Sequence, residues 1–170
     1  IHLKRMAMGV LDGQAQVADT VVGSSLARCD GGGGFGYHAA EHAMNRAIAM
    51  ARDTGIGIAG VRNSNFFGAG AYYANMAAKA GMIGLAMSNS FPKVVAHGGL
   101  KPVLGTTPFA FGAPRRNGDH LLFDMATSAL AGSTVREHIA RGTPLPEGLA
   151  IDAQGRIWVT VPELSWLSSQ

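Results

Sequence analysis

Cysteine is nearly absent from this chain of 170 residues: Cys29 stands alone, so no internal disulfide can staple the fold. A lone thiol favours a reducing compartment, and a cytoplasmic location is expected. Charge is also sparse, at 15% of residues, and the net +3 is not clustered. The only basic pairs are Lys4 with Arg5 and Arg115 with Arg116, and aromatics are few, so the dense basic stripe of a nucleic-acid binder is missing. No apolar run reaches the roughly 18 residues of a membrane span, and no signal peptide opens the chain. Nucleic-acid and membrane partners are not expected.

What is present is apolar and small. Hydrophobic residues make up 47% of the chain and 24 residues are glycine, which points to tight turns and to helices packed closely on a sheet. The pattern predicts a helix over about 38–52, with Ala39, Ala43, Ala47 and Met50 on one stripe and Gly55 as its stop. A strand follows at 56–61, an alanine-rich helix at 69–80 ending at Gly81, and a strand at 83–87. Turn-rich sequence then leads to the strand LLFDM and a last helix near 131–140. Helix and strand in alternation predict an α/β layer structure, a mixed sheet with helices packed on it.

The most informative stretch is LLFDMATS, 121–128, an apolar strand expected to be buried that runs into an acid and two hydroxyls. Strand ends of this kind deliver polar groups to one place, although an ordinary capped turn has the same composition. Four further blocks are GIGIAGVRNSN, FFGAGAYYANMAAKAGMIGL, AMSNS and HGGLKPVLGTTPFAFGAP. In this order they resemble the second malate/L-lactate dehydrogenase family, the non-Rossmann family that includes ureidoglycolate dehydrogenase and 2,3-diketogulonate reductase. Coverage runs from about Gly31 to Asp152.

That resemblance implies an α/β (mixed α+β) NAD(P)-binding domain of the L-sulfolactate/malate dehydrogenase-like type over 31–160. An N-terminal remnant would occupy 1–30 and a divergent tail 161–170, so the chain resembles a central portion. It implies hydride transfer between NAD or NADP and a 2-oxo or 2-hydroxy acid, in a homodimer. Ser90, Asp124, Met125, Ala126, Thr127 and Ser128 match cofactor-lining positions, and Ser64 and Asn65 are candidate substrate ligands at the start of a helix. Some positions depart from the family. Phe66 stands where a proton-transferring histidine is usual, and phenylalanine has no transferable proton, so no catalytic residue is assigned. Thr107 replaces the asparagine of Thr-Asn-Pro, and the lysine usual after Gly132 is missing. A noncatalytic or truncated relative acting as a binding fragment is the alternative.

Other signals are weaker. Gly31, Gly33 and Gly36 fit G-x-G-x-x-G, with Asp53 as a ribose acid or Arg62 as a 2′-phosphate ligand, but no long apolar strand is evident before the glycines. The resemblance makes this segment a structural loop. His38 and His42 have metal-pair spacing without supporting ligands, and no metal is expected. His97 reads as a turn histidine. Ser64, Ser90 and Ser128 lack the G-x-S-x-G elbow of a hydrolase.

Overall fold

The computed structural model describes residues 2–146 and 148–150. The tail expected at 161–170 and the end of the domain expected over 31–160 lie outside the described residues. The chain divides into two compact units. The first comprises residues up to Ala86 together with Ala110–Asp124, and the second comprises Met87–Phe109 with the described residues from Met125 onward.

In chain order the first unit begins with α1 (His2–Ala7), β1 (Ala18–Gly23), β2 (Leu26–Asp30), α2 (Gly36–Thr54), β3 (Ile58–Arg62), α3 (Gly70–Lys79) and β4 (Gly84–Met87). The second unit holds β5 (Val94–Val95) and β6 (Pro102–Leu104), an antiparallel pair, and later α4 (Gly132–Arg141). Between them in sequence run β7 (Phe109–Ala113) and β8 (Leu121–Met125). One sheet has the order β1-β2-β3, the other β4-β7-β8. The first sheet is mixed: β1 runs antiparallel to β2, and β2 runs parallel to β3 in a register from Leu26 opposite Ile58 to Asp30 opposite Arg62.

The small side chains explain the layers. A methyl group on Gly57 would lie 1.9 Å from the Ala47 carbonyl oxygen, so α2 rides almost backbone to backbone on the start of β3. Likewise α3 lies on the second sheet, where Gly112 faces the Ala74 carbonyl and Gly84 faces Ala77. The most deeply buried residues of this unit are accordingly small, with Ala27, Cys29, Ala39, Ala74, Ala78 and Ala110 all at most 1% exposed. The α2 helix stops at Gly55, whose φ of 84° is the left-handed cap the sequence predicted.

Two expectations are corrected. The residues just before the glycines do form a strand, β2, which buries only Ala27 and Cys29 on alternate positions. Its short, half-polar pattern hid it, because the strand is paired on both sides by β1 and β3 rather than marked by a continuous apolar run. LLFDM is the strand β8 as predicted, but it is exposed along its whole length rather than buried. It lies at the edge of its sheet, with a single neighbour, and Leu121 is 53% exposed.

Candidate functional site

The glycine segment does stand between a strand and a helix, in a β2-α2-β3 unit with parallel strands. Its polar groups are nevertheless taken up by the protein itself. Asp30 Oδ1 accepts from the Gly32 N–H at 2.9 Å and from Asn63 Nδ2 at 3.0 Å, while its other oxygen pairs with Arg62 at 3.0 Å. These donors, the Gly32 N–H first, hold the Asp30 carboxyl below its ordinary pKa. The Gly33 N–H donates to the Asn63 carbonyl, and Asn65 Nδ2 donates to the carbonyls of Gly33 and Gly34. A side chain at Gly31 would strike the Asn63 carbonyl oxygen at 2.9 Å. The N–H groups of Gly31, Gly32, Gly33 and Gly34 all donate within the protein, so the loop has none left to cradle a pyrophosphate, and Arg62 is already paired with Asp30. Asp53 is exposed at the end of α2.

Asn65 also accepts from Arg5 Nη2 at 2.6 Å, so both ends of its amide are engaged within the protein. Ser64 is exposed. Phe66 is 59% exposed, and its ring contacts are with His2 and Tyr37, at 6.4 and 6.1 Å between centroids. His2 Nε2 lies 3.2 Å from the Tyr37 hydroxyl.

Asp124 has a defined structural partner. The N-cap of α3 is Ala69, which has no side-chain acceptor, and Asp124 Oδ2 accepts from the Ala71 N–H at 2.9 Å in its place. The carboxylate thus caps a helix from a strand 53 residues away.

In the second unit the predicted hydroxyls converge. Ser90 Oγ accepts from the Thr106 N–H at 2.8 Å and the Thr107 N–H at 3.3 Å, and lies 3.1 Å from Thr106 Oγ1. The Thr127 N–H donates to the Thr106 carbonyl at 3.0 Å, and the hydroxyls of Thr107 and Thr127 share a short hydrogen bond. Ser128 Oγ donates to the Leu130 carbonyl at 2.8 Å. Ser90 and Thr127 are therefore gathered around 106–107, Ser128 turns to Leu130, Met125 is exposed and Ala126 half-buried.

Close behind lies α4, capped by Ala131 with no side-chain hydrogen bond and with no acid in its first turn. A methyl group on Gly132 would sit 3.5 Å from Lys93 Nζ and 3.6 Å from Arg136 Nη1. Neither cation pairs with a carboxylate among the described residues. An unfilled helix N-terminus flanked by two free cations has the chemistry of a phosphate cradle.

The family model for malate/L-lactate dehydrogenase matches residues 1–163. The chain belongs to the malate/L-lactate dehydrogenase family. It is 43% identical over 167 residues to the malate dehydrogenase of Pyrococcus abyssi, a match covering 96% of this chain and 46% of that protein. Among solved structures, the malate dehydrogenase of Entamoeba histolytica superposes with a TM-score of 0.92 at 30% identity, over 96% of this chain and 45% of the other. The delta1-piperideine-2-carboxylate reductase of Pseudomonas syringae pvar. tomato gives 0.89 at 36%, over 94% and 48%. The chain spans about half the length of the relatives it matches, and the family match reaches beyond the Gly31–Asp152 stretch legible by eye.

Within the family frame, the departures acquire a structural meaning. Thr107 has φ of 34°, in the left-handed region that asparagine tolerates and a β-branched residue resists. Lys93 and Arg136 bring positive charge to the α4 terminus, where position 133 is a serine. Sequence reading overlooked both cations, and the only signal was an uncapped helix start one turn before Arg136. His42 lies 3.6 Å from Asp19, His97 is exposed in a turn, and no cluster of three or more metal-ligating side chains occurs among the described residues. No helix among the described residues is long and apolar enough to cross a membrane.

Proposed function

We propose that this chain contributes the nicotinamide-dinucleotide site of an oxidoreductase that interconverts 2-oxo and 2-hydroxy acids, working as a cytoplasmic homodimer with NAD or NADP. The observation that carries the reading is the convergence of Lys93 and Arg136 on the uncapped start of α4, beside the hydroxyls of Ser90, Thr127 and Ser128. The donor set fits the group: two cations and helix N–H groups for phosphate, hydroxyls for ribose or carboxamide. Named relatives being dehydrogenases and a reductase supports the same reading.

The bound nicotinamide would supply or accept hydride, and the protein's part is to hold it and to exclude water. Within this chain Ser90, Thr127 and Ser128 orient the dinucleotide, and Lys93 and Arg136 neutralise its phosphates. Phe66 donates no proton, so that duty falls on another group. Asp124 acts on the α3 terminus rather than through a free carboxylate.

The test is titration with NADH and with NADPH, followed by nicotinamide fluorescence, beside Lys93→Ala and Arg136→Ala. Saturable binding weakened about tenfold by each substitution is expected, the loss of roughly 1.4 kcal/mol from one charge-assisted contact. A folded chain that binds neither dinucleotide, or binds it equally well without both cations, overturns the assignment. A screen of 2-oxo acids for dinucleotide oxidation then reads the reaction itself.

A further inference from the structure

A cleft of about 320 Å³ opens between the first turns of α2 and α3, and its lining shares no residue with the glycine loop or the hydroxyl cluster. Its lining includes Tyr37, His38, Glu41, Phe67, Tyr72 and Tyr73. Phe67 stacks on Tyr73 at 5.4 Å with their planes 11° apart, and Tyr72 stands edge-on to Tyr73 at 5.2 Å. The Tyr73 hydroxyl donates to the Phe67 carbonyl, which ties this wall to the chain before α3. Gly68, at φ of 83°, brings the backbone so close to Tyr37 that a methyl group there would meet the ring at 2.6 Å. Both sides of the cleft are thus held in place, yet Tyr37 and Tyr72 are 39% and 57% exposed.

The one carboxylate lining the cleft is Glu41. Its Oε1 accepts from the Tyr72 hydroxyl at 2.9 Å, and it has no cationic partner among the described residues. The phenols of Tyr72 and Tyr73 both titrate above the ordinary value. For Tyr72 the hydrogen bond to Glu41 is the leading cause, and for Tyr73 burial leads with Glu41 second. An anion would meet a negative field here, and a neutral ligand would leave the carboxylate unused. Aromatic faces carry negative potential of their own and attract a cation.

We propose that this cleft binds an alkylated ammonium group, its methyl groups against the faces of Tyr37 and Tyr72 and its charge balanced by Glu41. A guanidinium would have to share Oε1 with the Tyr72 hydroxyl for two-pronged pairing, and so suits it less well. A quaternary ammonium needs no hydrogen-bond acceptor, only charge and aromatic surface. The volume is at the lower end of small-molecule sites.

The experiment is an NMR titration of the tyrosine ring resonances at pH 8. Choline is the probe, and its neutral isostere 3,3-dimethylbutan-1-ol is the control. Choline should saturate and bind at least tenfold more tightly than the alcohol. Glu41→Gln keeps an acceptor for Tyr72 and should loosen choline about tenfold, and Tyr72→Leu should loosen it several-fold, with both variants folded by circular dichroism. Equal affinity for the two probes, no saturation, or an unchanged affinity in Glu41→Gln overturns the proposal. Neither choline nor these residues enters the dinucleotide site, so failure of one assignment does not imply failure of the other.

Discussion

Replacing Asp124 with alanine separates two roles that the same carboxylate can be given. If its task is to cap α3 through the Ala71 N–H, the substitution orphans a helix donor that neither Ala69 nor an acid in the first turn can satisfy. Loss of a cap costs about 1 kcal/mol, and loss of the favourable charge at a helix N-terminus adds about 0.5 kcal/mol. For a chain of this size each kcal/mol lowers Tm by roughly 2–4 °C, so Asp124→Ala should melt about 3–6 °C lower. Asp124→Asn retains an acceptor oxygen at the same place and should recover most of that loss. Thermal unfolding by circular dichroism reads the stability, and dinucleotide titration below the transition reads binding. Dinucleotide affinity should change little in either variant. A lost dinucleotide site with an unchanged melting curve would refute the capping argument and return Asp124 to the role of ligand.

The remaining predictions concern packing, strain and titration. Gly36→Ala places a methyl group 2.1 Å from the Asn65 carbonyl oxygen and 2.5 Å from that of Phe66, and the forced shift should cost about 2–3 kcal/mol, seen as a Tm drop of several degrees. Gly60→Ala meets nothing within 4 Å and should be neutral or raise stability by about 0.5 kcal/mol, so equal effects at the two glycines in urea melts would contradict the packing described. Thr107→Asn should relieve about 1 kcal/mol of left-handed strain and raise Tm by about 2–4 °C, and a fall in Tm would show that the hydroxyl contact with Thr127 outweighs the strain. Burial, with Glu41 behind it, pushes Tyr73 up to about 12 from an ordinary 10.0. Its folded value is the higher one, so this stabilisation is complete below pH 10 and is lost as pH rises from 10 to 12. Two pKa units correspond to on the order of 2–3 kcal/mol. Urea midpoints of Tyr73→Phe should therefore fall less steeply than those of the parent across that window.

Local pattern was legible where the signal was local. The stripe of Ala39, Ala43, Ala47 and Met50 marked α2 and Gly55 its end, because helical period and a left-handed cap are properties of neighbouring residues. Alanine and glycine marked α3 and its close seat on a sheet for the same reason. Strand β2 was missed because LARCD has only two inward residues, and its pairing with both β1 and β3 is a long-range fact. The burial of β8 was overestimated because five apolar-rich residues read alike in the centre of a sheet and at its edge.

By itself the sequence determined α2, α3 and α4 with the strands β3, β4 and β8, the mixed α/β class and, through five ordered blocks, the family. It also determined that the side chain at position 66, a phenylalanine, has no proton to transfer. Tertiary structure alone decided the partners. It set Asp124 on the α3 terminus, filled the glycine loop with Asn63 and Asn65, and brought Lys93 beside Arg136 at the start of α4. Spacing along a chain encodes distance only within a helix or a strand, and each of these pairs is joined across a fold whose closure the intervening sequence does not state.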